Sequence, residues 1–161
     1  MKRVFLLLIA TLSFSFAMAQ AELEFPFQGG KKVMMDYFDS HITLSTALKQ
    51  RAMSGTVVMK FTSDEKGSII KMVVYYADDA NLAEPVIKAL KGTDGKWIIP
   101  AKTKTYDFLI PFSVNIDAPD GRAVEAMLAF YNSRKPISAT DQIPLDTVSL
   151  LPTVQVKYTY E

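Results

Sequence analysis

Cysteine is absent from this 161-residue chain, and histidine and tryptophan occur once each. Without a thiol there is no disulfide, no redox couple and no sulfur ligand for a metal. A single imidazole, His41, cannot supply the clustered ligands that zinc requires. Nor can it find the nucleophile and orienting carboxylate of a triad, and no Gly-x-Ser-x-Gly elbow is present. Beside Ser40 at a predicted helix end, His41 reads as capping chemistry. An excess of one charge is missing too: 18 basic residues stand against 17 acidic ones. Nucleic-acid binding needs a basic face that displaces counterions, and an anionic bilayer calls for a polybasic patch. Neither is present. Asp78, Asp79 and Asn81 look like a fragment of a calcium loop but lack the spaced Gly and the distal Glu. Asn81 followed by Glu84 reads instead as a helix-start cap. The expectation is a protein with no catalytic residue, no cofactor and no metal.

Apolar runs long enough to cross a bilayer, about 20 residues, are also lacking. The N-terminus holds a shorter one. Lys2 and Arg3 precede apolar residues 4–16, interrupted by Thr11, Ser13 and Ser15, and Ala17-Met18-Ala19 offers a small-x-small site before Gln20. That is the pattern of a secretory signal over residues 1–19. The expected mature protein begins at Gln20 in the periplasm, with no stable membrane span. Its loss of Lys2 and Arg3 leaves 16 basic residues against 17 acidic. An uncleaved N-terminus would instead be an anchor.

What is present is periodicity. Val33, Met34, Tyr37 and Phe38 predict a buried helical stripe over residues 31–40, with Asp36 and Asp39 facing outward. Leu44, Leu48, Ala52 and Met53 suggest a second helical piece. Residues 56–62 alternate, with Val57, Met59 and Phe61 on one face, as a half-buried strand does. A turn at residues 63–67 closes on Gly67, and residues 69–76 form a second strand, apolar on both faces and so expected to be central. Leu82, Val86, Ala89 and Leu90 give a helix with Pro85 in its first turn. Phe108, Ile110, Phe112, Val114 and Ile116 share one face of a strand over residues 106–116, where Pro111 demands an open or irregular side. Val124, Met127, Leu128 and Tyr131 make a helical stripe. Residues 133–152 read as a loop, and residues 153–160 as a strand with Val154, Val156, Tyr158 and Tyr160 on its apolar face. That face needs burial against a sheet edge, in its own molecule or in a second copy by strand exchange. Trp97, at a corner between helix and strand, reads as core rather than as a ligand platform.

Four pieces occur in a telling order: Phe25-Pro26 with Gly29-Gly30 before a helix, Ser54-Gly55-Thr56-Val57 opening a strand, Asp64 to Gly67 closing a hairpin, and Trp97-Ile98-Ile99-Pro100. Together they resemble the C-terminal domain of the TonB family, periplasmic proteins that grip outer-membrane transporters. Departures are the inserted Phe27-Gln28, Leu44-Ser45 in place of a Tyr-Pro pair, and no Pro-rich spacer. The resemblance implies an α+β two-layer sandwich, a small antiparallel sheet with helices on one face, over residues 20–118. Residues 119–161 add a C-terminal helix and strand extension. It also implies a non-enzymatic module for transmembrane transport. A transporter peptide would add to the strand at residues 106–116 by β-augmentation, which makes Leu109, Pro111, Ser113 and Asn115 the expected partner-binding residues. An anchored energy transducer, or an envelope assembly protein on the same fold, are the alternatives.

Overall fold

Helix α1 (Gly30–His41) and a short α2 (Thr46–Gln50) lead into the hairpin of β1 (Gly55–Asp64) and β2 (Ile69–Ala77). Helix α3 (Ala80–Lys91) follows, then β3 (Thr105–Ile116), α4 (Gly121–Ser133) and three short strands: β4 (Ile137–Ser138), β5 (Val148–Leu150) and β6 (Val154–Tyr158). The computed structural model describes residues 25–140 and 148–161. The signal sequence and its cleavage site before Gln20 lie outside the described residues.

The architecture is α+β: an open sheet ordered β4-β2-β1-β3-β5, with β6 also on β3 and helices packed against it. From β4 to β3 all pairs are antiparallel, whereas β5 and β6 both run parallel to β3. Parallel pairing obliges the chain to return to the start of β3, which takes a long crossover. Helix α4 begins that return. It carries the chain from the end of β3 to the end of β2, where the Lys135 amide donates to Asp79 and Arg134 lies 3.6 Å from Asp78.

One face of the sheet carries Val57, Met59, Phe61, Phe108, Ile110, Phe112 and Val114, all essentially buried against Met34, Phe38, Leu82, Val86 and Leu90 of the helices. Trp97 sits in this core with 2% of its surface exposed. Its ring packs edge-on to Phe27 at 5.1 Å and against Phe61 at 4.4 Å. Its indole N–H donates to the buried Thr93 hydroxyl at 2.9 Å, so the polar end of the ring is satisfied. The Gly67 carbonyl accepts from the amides of Gly95 and Trp97, tying the hairpin turn to the Trp corner. Gln28 donates to Lys96 and Ile98 donates to Pro26, so the N-terminal entry joins the same knot.

Several local expectations need correction. Strand β1, not β2, is central, because β4 covers β2 only at Tyr76 and Ala77. Residues 133–152 are not wholly loop, since they contain β4 and β5. Pro85 lies in the second turn of α3, and the cap is Asp79, which accepts from the Asn81 amide at 3.0 Å. Val33 is 48% exposed on α1. On α4 the buried side is Ala123, Ala126, Met127 and Phe130, rotated from the expected stripe. Val124, Leu128 and Tyr131 instead face outward, at 45%, 60% and 58% exposure. Alanine and phenylalanine at i and i+7 fit the limited space there; two alanines drew no attention as core in the sequence.

Two substitutions test the knot. Trp97→Ala should cost about 3–5 kcal/mol in urea unfolding; an unchanged midpoint would show that the indole is not core. Gly67→Ala should destabilise comparably. A Cβ there would lie 2.5 Å from the Trp97 carbonyl oxygen, at a φ of 81° that L side chains rarely adopt.

Candidate functional site

The side chains of Leu109, Pro111, Ser113 and Asn115 lie on the β3 face turned away from the helices. Their outer backbone edge is already engaged. β5 pairs with Asp107 to Leu109, and β6 with Phe112 to Ile116. The Leu151 amide donates to the Leu109 carbonyl at 2.8 Å, and the Asp117 amide to the Tyr158 carbonyl at 2.8 Å. Because backbone groups alternate along a strand, the missing N–H of Pro111 points the same way as the groups of Leu109. The ladder breaks there, between β5 and β6. The expected irregularity at Pro111 is thus a join between two short parallel strands.

This seal belongs to the core. Leu151, Val154, Val156 and Tyr158 are each at most 8% exposed. The Tyr158 hydroxyl donates to the Met53 carbonyl at 3.0 Å, and Lys49 meets Glu161 at 2.6 Å. Asn115 donates to Ser113 at 2.8 Å and reaches Gln155 at 3.5 Å, so even the polar side chains of that strand bond to neighbours within the sheet.

The opposite edge differs. Beyond Tyr76 and Ala77, where β4 pairs, and Tyr75, whose carbonyl accepts from Ala139, β2 has no strand on its outer side among the described residues. Irregularities in its pairing with β1 leave Ile70 and Tyr75 as extra residues on β2. Between them Lys71, Met72, Val73 and Val74 keep regular register with Thr62, Phe61, Lys60 and Met59. Bulges and a lysine are devices that discourage indiscriminate edge pairing. Here they bracket a short regular window. At its start the Ile69 amide donates to Asp94, and a cleft of about 390 Å³ is lined by Ile69, Ile70, Lys71, Met72, Lys91 and Asp94. The sequence hid this edge, because residues 69–76 read as a strand covered on both faces.

Polar groups elsewhere serve structure. His41 stacks on Tyr37 at 4.0 Å and its Nδ1 lies 2.8 Å from the Tyr37 carbonyl at the end of α1, as capping requires. Asp78 accepts from the Thr56 amide and the Tyr76 hydroxyl, while Asp79 caps α3. Across β1 and β3, Lys60, only 5% exposed, meets Asp107 at 2.8 Å. Burial pushes the Asp107 carboxyl up, but hydrogen bonds from Lys60 and Thr62 and the nearby lysine charges outweigh it and hold it low. No group of residues among those described could hold a metal ion, and no described helix is long and apolar enough to cross a membrane. No protein family, characterised protein or solved structure matches the chain.

Burial pushes the Tyr158 phenol from 10.0 up to about 12. The unfolded chain therefore ionises first. The contribution of this group to stability is intact below about pH 10 and is lost as pH rises toward 12. Tyr158→Phe forfeits a hydrogen bond worth about 1 kcal/mol and should be less stable near neutrality. Its urea midpoint should nevertheless fall less steeply than that of the parent in alkaline solution. Parallel declines in the two proteins would remove Tyr158 as the cause.

Proposed function

We propose that this chain is a non-enzymatic, periplasmic partner-binding module that takes up an extended peptide by strand addition, as the TonB C-terminal domains it resembles do. The observation that carries the reading is a sheet with one edge sealed by its own C-terminal strands and the other, on β2, without a partner strand along a regular window among the described residues. At such an edge main-chain hydrogen bonds supply affinity and alternate side chains supply specificity. Partners of the class implied by the resemblance are segments of outer-membrane transporters.

The geometry favours the β2 edge over the one lined by Leu109, Pro111, Ser113 and Asn115. A peptide at β3 must first strip off β6 and expose Val154, Val156 and Tyr158, at about 1.5–3 kcal/mol for each large side chain. Strand exchange into a homodimer would bury the same side chains between two copies. Coupling to an energised inner membrane is a function that would need the N-terminal segment to remain as an anchor. A second reading, an envelope assembly protein, draws on the outward Val124, Leu128 and Tyr131 of α4.

Titration of isotope-labelled mature protein with extended transporter-derived peptides should give saturable amide shifts confined to one sheet edge. Absence of any shift at millimolar peptide would defeat strand addition and leave the assembly reading. Mass spectrometry of the exported protein should find Gln20 as the first residue; an intact Met1 would restore the anchored transducer.

A further inference from the structure

We infer that the end of the domain carrying the Gly67 turn docks on an anionic bilayer surface, with lysines from neighbouring loops on the headgroups and the turn at Pro100-Ala101 seated between them. The inference goes beyond strand addition and does not depend on it. Balanced composition argues against a polybasic patch only as an average over the chain, and the fold separates the charges. The β1–β2 turn carries Lys66, and its Gly67 carbonyl accepts from Gly95 and Trp97, which brings Lys96 alongside. Asp64 pairs with Thr105 at the start of β3, so Lys102 and Lys104 lie at the same end. Lys71, on the β2 face turned away from the helices, and Lys91, in the last turn of α3, flank it. All six side chains belong to exposed residues. Against these six lysines this end sets three carboxylates, Asp64, Glu65 and Asp94. Two of the three are turned inward, since Asp64 accepts the amides of Lys66 and Ser68 and Asp94 accepts that of Ile69. No ion pair among the described residues includes any of the six lysines. Lys71 has Asp107 in its field, but Lys60 already holds that carboxylate at 2.8 Å. Toward the opposite end the carboxylates are answered: Asp78 by Arg134, Asp117 by Lys157, Asp120 by Arg122 and Glu161 by Lys49.

Apolar residues at the same end favour a bilayer over a soluble polyanion. Pro100 and Ala101 are exposed in a turn closed by the Thr103 amide and hydroxyl, both of which donate to the Pro100 carbonyl. Ile99 packs against the core and anchors that turn, while Lys102 and Lys104 follow it directly. Ile70, just beyond the hairpin turn, is 57% exposed. An aqueous polyanion would leave these groups wet, whereas the boundary between headgroups and acyl chains buries them while the lysines stay among the phosphates. The lysines also come from separate loops set side by side, which suits a layer of headgroups better than one point of negative charge. Attraction of this kind grows with each lysine near the surface and is screened by salt.

The experiment floats the full mature protein with vesicles of phosphatidylglycerol and phosphatidylcholine in equal parts, and with phosphatidylcholine alone. Binding should require the anionic lipid and should fall away as salt shortens the screening length. The quadruple variant Lys66→Gln, Lys96→Gln, Lys102→Gln, Lys104→Gln should keep the urea midpoint of the parent, all four side chains being exposed, and should partition roughly a hundredfold more weakly. Because the chain has no cysteine, Ala101→Cys and Asn132→Cys each place a single environment-sensitive dye, one on the docking turn and one on α4. Vesicles should shift the emission of the dye at residue 101 and leave that at residue 132 unchanged. Equal binding to phosphatidylcholine alone, or binding indifferent to salt, would overturn the inference. A response at residue 132 in place of residue 101 would give docking to the exposed apolar row of α4 and overturn it too. Full binding by a folded quadruple variant would do the same; if that variant unfolds, the salt series and the two dyes decide. Binding of soluble polyphosphate without any binding to vesicles would assign the lysines to a polyanion in solution and overturn bilayer docking, as would failure to bind either.

Discussion

The Gly67 carbonyl is the point on which the domain closes. It belongs to the hairpin turn between β1 and β2, and it accepts from Gly95 and Trp97 beyond the end of α3. Only a residue without a side chain permits that approach at a φ of 81°, since a Cβ would collide with the Trp97 backbone. With the carbonyl engaged, the indole is held among Phe27, Phe61 and Phe108. These rings come from the N-terminal entry, the central strand and β3, elements far apart in sequence. Their packing at one place works against the entropy that long-range closure costs.

A second constraint follows from the position of β1. With β2 on one side and β3 on the other, its Val57, Met59 and Phe61 find a dry interior, and each flanking strand takes only short strands on its outer side. The chain treats the two edges differently. Along β3 it lays its own C-terminus, in two short parallel strands that meet where Pro111 cannot donate. Along β2, among the described residues, it lays the two residues of β4 and the Ala139 amide, and the rest of that edge carries bulges and Lys71. An exposed edge is an aggregation hazard unless it is guarded or used. This one is guarded at its ends and regular between them, which suits a short, selected strand.

That asymmetry bears on the site expected from the sequence. The resemblance places the partner on β3, along Leu109, Pro111, Ser113 and Asn115. Residues 119–161, which lie outside the resembling core, return to that edge and integrate with it through Tyr158 and Met53. The extension thus completes the fold, and the proposed recognition shifts to the opposite side of the sheet.

Much of the fold was legible because it rests on period and backbone chemistry. Alternation marked β1, β3 and β6 with the correct inward residues, Gly67 marked the turn, and Trp97 at the end of a helix marked a core corner. Pro111 announced a break in its ladder from the missing N–H alone. Where the period was ambiguous, tertiary context decided. The outward row on α4 is as apolar as the buried one, so only packing could choose Phe130 over Leu128. Likewise Val73 and Val74 are equally apolar whether a strand is central or at an edge, so composition could not reveal that the outer neighbour of β2, among the described residues, is the two-residue β4. The direction of β5 and β6 was equally hidden, because side-chain alternation is identical in parallel and antiparallel strands. The sequence by itself determined which residues form strands, turns and core. The tertiary structure decided which edge the C-terminal strands seal and which has, among the described residues, only a short partner, because edges are defined by what pairs with a strand and not by the strand itself.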